Sequence, residues 1–321
     1  MTFALGTFAD ADGEFPGLVL DGDRVLDLRA EPWRDTRAMF ADWDAALARL
    51  RILAEQPQPA VLALEQLRVC PPLAPVQVLQ SGANYRQHVI DIILAEERER
   101  GRLSEAEALV MARRIMDERA RDGEPYVFLG APSAICGAYD DVQLPADGEQ
   151  HDWELELGVV IGRPARNIPV ERALDHVAGY TIVNDITTRD RVYRPDLQAI
   201  GTDWLRSKNS PTFLPVGPYV MPKAFVADPM ALTVTLSLNG AVMQNSGTED
   251  MIFDVATLVA YVSTRVALVA GDLLCTGSPA GNGMHHRRFL RDGDVIDAEI
   301  TGLGHQRNRC VGAVAPADRG D

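Results

Sequence analysis

The sequence predicts an α+β fold, built from a mixed β-roll or barrel-like core, a small N-terminal domain and a helical insertion. Three observations predict it. Strand patterns dominate from Val127 onward, regular alternation of strands and helices is absent, and the longer helical patterns lie in residues 35–55 and 89–124. A doubly wound parallel sheet would require strands that alternate with helices along the chain, so this class is excluded.

Composition sets the limits of what the protein can do. The 321 residues are enough for one large domain, or for one large and one small domain. A hydrophobic content of 46% and a charged content of 24% are typical of soluble globular proteins. The net charge of −15 makes nucleic acids and anionic membranes poor partners. An anionic substrate would therefore need a local positive centre, which a bound divalent metal could supply.

Cysteine spacing and the N-terminus indicate a cytoplasmic protein. The cysteines show no paired spacing, so we expect free thiols in a reducing compartment rather than disulfides or a zinc site. The first ten residues lack the basic and apolar regions of a signal peptide, and no apolar run reaches membrane-spanning length. The cysteines are Cys70, Cys136, Cys275 and Cys310.

Residues 1–70 are predicted to form the small N-terminal α+β domain. Turn signals at Asp12-Gly13 and Asp21-Gly22 separate short strands, and residues 35–55 carry apolar side chains at helical spacing. A proline-rich linker at 69–75 is a plausible boundary, which leaves 71–321 as the catalytic domain. The helical apolar residues are Met39, Phe40, Trp43, Leu47 and Leu50.

Residues 89–124 are predicted to form an inserted helical hairpin. A first helix runs from Ile90 to Arg100, and Gly101 ends it. Ser104 and Glu107 make a capping box for a second helix that continues to about Arg119. A lid over the active site and a subunit contact are equally compatible with this pattern, and a solvated surface hairpin is the third interpretation.

An acidic pair on an apolar strand is the most informative feature. In the segment 151–162, Glu154 and Glu156 point to one face while alternate apolar residues point to the other. Two ionised carboxylates side by side inside a fold require a compensating cation. Asp185 closes a second apolar run and can supply a third ligand. An oxygen-only set favours Mg²⁺, Mn²⁺ or Ca²⁺ over Zn²⁺. The Glu-x-Glu pattern by itself also fits the solvated face of an antiparallel sheet.

At these residues the chain resembles the fumarylacetoacetate hydrolase family. The resemblance rests on the acidic pair, on the run Asn184-Asp185-Ile186-Thr187-Thr188-Arg189-Asp190 and on the loop Thr276-Gly277-Ser278-Pro279-Ala280-Gly281, and it covers roughly residues 70–312. It implies a β-roll core of the fumarylacetoacetate hydrolase type and a small N-terminal domain. It also implies a metal, Mg²⁺ or else Mn²⁺ or Ca²⁺, on Glu154, Glu156 and Asp185, a small anionic 2-oxo acid substrate and a homodimer.

The segment from Asn84 to Asp91 resembles the family segment in which a histidine and an acid activate a water. The resemblance implies a catalytic dyad of His88 and Asp91. A neutral imidazole is a good base near pH 7, and a carboxylate supports its cation. Three residues apart at the start of a helix, the two side chains can touch. The acid is Asp where the family pattern has Glu, so the dyad is expected to be looser or to form on closure of the lid. The alternative is a helix-terminus histidine packed on Tyr85.

Two positions depart from the family pattern. Gly130 stands where the family has a lysine that helps to stabilise negative charge, and the loss of one such donor could weaken catalysis by about 2.7–4 kcal/mol. Arg189, Lys208 and Arg86 are candidate replacements. Lys208 matches a family lysine and is predicted to be catalytic. A surface cation is the alternative for each of them, and it fits Arg86 best.

The second departure is Val192, which stands where many members have Gln, so the pocket is expected to accept a larger apolar tail. The resemblance implies substrate-binding roles for Tyr85, Arg189, Thr276 and Gly277. Glycine allows close backbone approach and the threonine hydroxyl can donate, although an ordinary turn is the alternative for this loop.

The leading hypothesis is a divalent-metal-dependent hydrolase that cleaves a C–C bond in a β-dicarbonyl 2-oxo acid, such as an acylpyruvate or a fumarylpyruvate-like substrate. The first alternative is a 2-oxo acid hydratase, isomerase or decarboxylase that shares the same metal-stabilised enolate. The second is a catalytically weak homologue that binds metal and a small acid. Fold alone does not separate these functions.

Overall fold

The computed structural model describes residues 1–56, 61–197, 199 and 201–312. The architecture is α+β, as the sequence predicts, with strongly curled β-sheets and helices on their faces. The described residues between 3 and 70 contribute one sheet and two α-helices. Their elements are β1 (Phe3–Asp10), β2 (Gly13–Leu20), β3 (Arg24–Asp27), α1 (Thr36–Phe40), α2 (Trp43–Glu55), β4 (Leu62–Ala63) and β5 (Arg68–Cys70).

Residues 78–312 contain the other described strands and α-helices. In chain order these are β6 (Val78–Gly82), α3 (Arg86–Arg100), α4 (Glu105–Asp122), β7 (Tyr126–Gly130), β8 (Ile135–Gly137), β9 (Val142–Leu144), β10 (His151–Asp152), β11 (Leu155–Ile161), α5 (Val170–Ala173), β12 (Val177–Asn184), β13 (Thr187–Thr188), α6 (Trp204–Lys208), β14 (Leu214–Val216), β15 (Met221–Pro222), β16 (Thr233–Leu238), β17 (Ala241–Gly247), α7 (Val255–Arg265), β18 (Leu273–Cys275), α8 (Gly283–His286), β19 (Val295–Ile300) and β20 (Gly304–Gly312).

The N-terminal sheet has the strand order β4-β3-β2-β1-β5 and is antiparallel throughout. Asp35 and Asp42 cap α1 and α2 by accepting backbone N–H bonds, which satisfies donors that a helix start leaves unpaired. Leu5 exchanges two backbone hydrogen bonds with Val220, at 2.9 and 2.7 Å, so this sheet is joined directly to the rest of the chain. A domain boundary near residue 70 stays a prediction.

The central sheet positions the acidic residues. Its strands run in the order β7-β6-β18-β11-β12-β14-β8, and β15 pairs with β12 at one side. A separate two-stranded sheet is formed by β10, which precedes β11 in the chain, and β13, which follows β12. A third large sheet, in the order β17-β16-β19-β20-β9, packs against the central one with α7.

Strand β11 is buried along its whole length. Leu157 and Val159 belong to the core that the central sheet shares with β16, β19 and α7. Val160, on the opposite face, belongs to a second core that includes Phe40 and Leu50 of the N-terminal helices. Because both faces are covered, any polar side chain on this strand is removed from water.

The predicted helical hairpin is present as α3 and α4. Gly101 ends α3 with a φ of +62°, a conformation that favours glycine. Ser104 and Glu107 form the predicted capping box of α4. The helices are slightly longer than predicted because α3 begins at Arg86, directly after Tyr85, and α4 ends at Asp122. They share a buried apolar cluster of Val89, Ile90, Ala112 and Met116, with Ile252 beneath it.

All four cysteines are buried and free, as expected. Among the described residues, no helix combines the length and the apolar character needed to cross a membrane.

Candidate active site

The site begins where two antiparallel strands of the central sheet meet. β11 starts beside the end of β12, and Leu155 pairs with Asn184. The Asp185 backbone N–H donates to the Glu154 carbonyl at 2.8 Å, and the Glu154 N–H donates to the Asn184 side chain at 2.9 Å. This pairing brings together the three predicted ligands, Glu154, Glu156 and Asp185. They are buried, and each offers a carboxylate oxygen within 4.8 Å of the others.

Two cations lie against these carboxylates. Lys208, at the end of α6, donates from Nζ to Glu154 Oε2 at 2.7 Å, to Asp185 Oδ2 at 2.5 Å and to Thr187 Oγ1 at 2.6 Å. Arg189 donates from Nη2 to Glu154 Oε1 at 2.5 Å and from Nε to Asp152 Oδ2 at 2.8 Å. The side chains of Lys208 and Asp185 are only 3% and 2% exposed, so this pair lies away from water.

Burial and neighbouring charges shift the pKa values of the acids in different directions. Burial raises the pKa of Glu156 well above its ordinary value, and the nearby Asp185 and Glu154 carboxylates raise it further. Burial also raises the pKa of Asp185, against the opposing effect of Lys208. Glu154 differs, because Arg189 and Lys208 together outweigh burial and hold its pKa below the usual range.

The site carries more negative than positive charge. Asp152, Glu154, Glu156 and Asp185 are four buried carboxylates, and they face two cations, Lys208 and Arg189. If all four acids are ionised, two negative charges remain uncompensated. The set therefore fits a divalent cation in both charge and ligand type, since the ligand atoms that Glu154, Glu156 and Asp185 offer are all carboxylate oxygens.

Asp152 is a site residue that the sequence reasoning missed. Its side chain is fully buried, and it accepts hydrogen bonds from Arg189 and from the backbone N–H groups of Gly283 and Met284 at the start of α8. A signal was available, because Asp152 lies two residues before Glu154 and so shares its side of the chain.

Gln80 is a second missed residue. It lies on β6 and is 2% exposed, and its Nε2 donates to Asp185 Oδ1 at 2.5 Å. Gly130, on the adjacent strand β7, leaves the space that the Gln80 side chain occupies. The sequence signal was weak, because Gln80 is followed by a second polar residue, Ser81, in the short strand β6.

The predicted dyad residues lie one helical turn apart on α3, but their hydrogen bond is not formed. Asp91 Oδ1 accepts from Gln87 Nε2 at 2.7 Å, and Asp91 Oδ2 lies 3.7 Å from His285 Nδ1. His88 is half-buried, and burial lowers the pKa of its imidazole to about 4. His88 is therefore neutral at pH 7, which a general base requires. The dyad itself stays a prediction.

Three other predicted residues lie in surroundings that the sequence did not indicate. The Thr276 hydroxyl donates to the Leu157 carbonyl at 3.0 Å, so in this structure its proton is already used, and its role in substrate binding stays a prediction. The Gly277 N–H donates to Glu156 Oε2 at 2.7 Å, which places this loop on the acidic cluster. Tyr85 is fully buried in the core, and its hydroxyl lacks a partner within the described part of the chain.

Arg86 is not a replacement for the missing lysine in this arrangement, because it pairs with Asp117 of α4. Lys208 and Arg189 are the candidate cations that the fold places at the acids. Arg189 lies in the turn after β13, inside the Asn184–Asp190 run, and Lys208 lies at the end of α6, further along the chain.

Aromatic side chains line the side of the site next to Lys208. Phe128 and Trp204 stack with ring centroids 4.7 Å apart, and Trp204 Nε1 donates to the Tyr126 hydroxyl at 2.7 Å. Lys208 Nζ lies 5.8 Å from the centroids of both stacked rings. Val192 is buried nearby, and its carbonyl accepts from the N–H of Asp203 just before α6.

Comparisons with known proteins agree with this geometry. A family model described as fumarylacetoacetate (FAA) hydrolase C-terminal matches residues 77–311. The human mitochondrial oxaloacetate tautomerase FAHD2B is 40% identical over 190 residues, which are 59% of each chain. A 2,4-didehydro-3-deoxy-L-rhamnonate hydrolase from Sphingomonas sp. (strain SKA58) is 41% identical over 189 residues, 58% of this chain and 65% of that one.

A solved structure of maleylpyruvate hydrolase from Sphingobium sp. SYK-6 superposes with a TM-score of 0.73 at 27% identity, and the match covers 97% of this chain and all of that one. The relatives thus include hydrolases and a tautomerase. Because the family model covers most of the chain and the buried acids fall inside the matched region, this protein belongs to the fumarylacetoacetate hydrolase family.

Proposed function

We propose that the protein is a divalent-metal-dependent hydrolase that cleaves a C–C bond in a β-dicarbonyl 2-oxo acid, such as an acylpyruvate or a fumarylpyruvate-like compound. The observation that carries the proposal is the buried cluster of Glu154, Glu156 and Asp185, held between Lys208 and Arg189. The similarity to a maleylpyruvate hydrolase supports this class of substrate.

Glu154, Glu156 and Asp185 would hold the cation, and Mg²⁺ or Mn²⁺ fits their oxygen-only donor set. When bound, the cation would supply Lewis-acid polarisation of the 2-oxo acid oxygens and would balance the charge of the acids. Arg189 and Lys208 keep Glu154 ionised and add the positive charge that an anionic substrate needs in a chain of net charge −15.

His88 is the proposed general base. Its imidazole is neutral at pH 7 and takes a proton from a water molecule whose oxygen bonds to the distal carbonyl carbon. As the C–C bond breaks, its electron pair goes to the carbon adjacent to the 2-keto group of the departing 2-oxo acid. That carbon then receives the proton from the imidazolium. The products are a carboxylic acid and a shorter 2-oxo acid. Asp91, one turn further along α3, would support the imidazolium once a change of side-chain rotamer releases it from Gln87 of the same helix.

The acyl tail of the substrate is proposed to be apolar. Phe128 and Trp204 present stacked rings beside Lys208, and Val192 is buried behind α6. An apolar or aromatic tail would bury surface against these rings while its carboxylate end meets the cations.

A tautomerase or isomerase is the second candidate. The specific observation that favours it is the missing His88–Asp91 hydrogen bond, because moving one proton between carbon and oxygen needs a base but no attacking water. Gly130 also favours the tautomerase or isomerase, since this position supplies no cation to the site. The human relative named oxaloacetate tautomerase supports this candidate.

The deciding experiment is turnover of a panel of acylpyruvates and oxaloacetate, before and after chelation, with Mg²⁺ or Mn²⁺ then restored. Loss of the enol absorbance with two acid products would support the hydrolase. Loss of enol absorbance with unchanged mass would support the tautomerase. Metal binding and ligand-induced stabilisation without turnover would support the binding homologue and contradict both enzymes.

Glu154→Gln tests the metal centre directly. We expect metal-restored turnover to be abolished, because the amide removes one charge and one ligand oxygen. Glu299→Gln, the same change at an exposed position of β19, should leave turnover unchanged. Full activity in Glu154→Gln would rule out the proposed metal centre.

A further inference from the structure

Gln80 is the one neutral side-chain amide that donates to the acidic cluster within the part of the chain that the structure describes. Its Nε2 faces Asp185 Oδ1 at 2.5 Å, whereas Lys208 holds Asp185 Oδ2 at the same distance. Both oxygens of this carboxylate are therefore fixed by donors from two different elements, β6 and α6. The amide nitrogen faces Asp185 because a carboxylate oxygen can only accept.

The other end of the same amide has no partner. Gln80 Oε1 is buried and lacks a hydrogen bond within the described residues. An unpaired buried carbonyl is unfavourable, so an apolar side chain would fit this strand better if packing were the only requirement. The amide is explained by its contact with Asp185.

Gly130 is coupled to this contact. A Cβ at position 130 would overlap Gln80 Oε1 and would lie 2.9 Å from Gln80 Cδ and 3.1 Å from Val78 Cγ1. The backbone at Gly130 is an ordinary strand, so its conformation does not require glycine. A larger residue would have to displace the end of the Gln80 side chain, which is the amide that reaches Asp185.

We infer that Gln80 is a positioning residue of the metal centre, which orients the Asp185 carboxylate for the cation. The missing side chain at Gly130 leaves the room that the Gln80 amide needs to reach Asp185. The inference rests on the proposed function, since it assumes that Asp185 binds metal. Partners that orient metal ligands typically change metal affinity by about 10–100-fold when removed.

The test measures Mn²⁺ binding to the full chain by calorimetry and by electron paramagnetic resonance. Gln80→Leu keeps the volume and removes the donor, and we expect the Mn²⁺ Kd to rise about 10–100-fold. The matched control is Gln306→Leu, a buried glutamine on β20 whose Nε2 donates only to backbone carbonyls. The control should lower the melting temperature and leave the Mn²⁺ Kd unchanged.

A double-mutant cycle tests the coupling to Gly130. Gly130→Ala should weaken Mn²⁺ binding in the wild-type background, because the added methyl displaces the amide. In the Gln80→Ala background the same change should have no further effect, because the displaced atoms are gone. An equal effect of Gly130→Ala in both backgrounds would overturn the coupling.

The outcomes separate the two proposals. A wild-type protein that does not bind Mn²⁺ contradicts the metal centre itself, and the inference with it. A wild-type protein that binds Mn²⁺, with Gln80→Leu binding equally well, contradicts only the role of Gln80. Should Gln80→Leu fail to fold, as judged by circular dichroism, Gly130→Ala and Gln80→Ala provide the same comparison.

Discussion

Lys208 is the residue on which the buried charges depend most. Its ammonium group contacts Glu154 and Asp185 inside the protein, where each unpaired charge is costly. The opposing effect of burial is overcome by these two carboxylates, so the pKa of Lys208 is raised and the side chain stays charged.

Lys208→Met should lower the free energy of unfolding by about 3–5 kcal/mol in the absence of divalent metal, since it leaves buried Asp185 without its ion-pair partner and Glu154 with Arg189 alone. Added Mg²⁺ should recover more stability in the variant than in the wild type, because the metal would replace the lost charge. Denaturant melts with and without Mg²⁺ measure both effects. Equal stability of the two proteins without metal would contradict the role of this ion pair.

His88 should make unfolding sensitive to acid. Its folded pKa is about 4 and the ordinary value is 6.5, so the unfolded chain binds the extra proton first as the pH falls. Stability should therefore decrease between pH 6.5 and about 4, by at most about 1.4 kcal/mol per pH unit from this group.

His88→Gln should reduce that slope in chemical denaturation at a series of pH values. The imidazole resonances that disappear in His88→Gln should titrate near pH 4 in the wild-type NMR spectrum. A midpoint near 6.5 for those resonances would show that His88 is solvated and would remove the argument for a buried base.

At the scale of elements, the hairpin of α3 and α4 is the part most clearly tied to local sequence signals. The capping box places two hydrogen bonds at the start of α4, between Ser104 and Glu107. Its charged outer face and small buried cluster indicate modest anchoring to the rest of the protein.

Ser104→Ala should weaken the start of α4 by about 0.5–2 kcal/mol and speed amide hydrogen exchange in its first turn. Val110→Ala, at a side chain of the same helix that is 70% exposed, should leave that exchange unchanged. If the hairpin acts as a lid, Ser104→Ala should also change KM or kcat for the substrate. Altered exchange with unchanged kinetics would favour a surface hairpin or a subunit contact.

Local sequence signals predicted the helical hairpin and the acidic pair well. The site contacts that were not predicted depend mainly on residues far apart in sequence. Gly101 and the capping box determine where helices end and begin, and the two-residue period places Glu154 and Glu156 together. The contacts of Gln80 and Thr276 depend on strands far apart in sequence, and the approach of His285 to Asp91 depends on α8 lying beside α3. No local pattern specifies which strand lies beside which, so these contacts became visible only in the folded chain.

At the scale of the whole molecule, a homodimer is expected from the family resemblance. Light scattering coupled to size-exclusion chromatography should give about twice the chain mass of 35.0 kDa. The measurement should be repeated after chelation to separate subunit association from metal binding. A monomer peak under both conditions would contradict the expectation.

The burial of β11 on both faces also has a mechanical consequence. Val160 packs on the N-terminal helices, whereas Glu156 lies on the same face of this strand and belongs to the acidic cluster. The N-terminal helices thus help to cover the face of β11 that carries Glu156. If these helices loosened, we expect water to reach this face and to screen the charges of the buried acids. We therefore expect that replacing the N-terminal segment with that of a relative would alter the proposed catalysis, although no residue of the acidic cluster is changed.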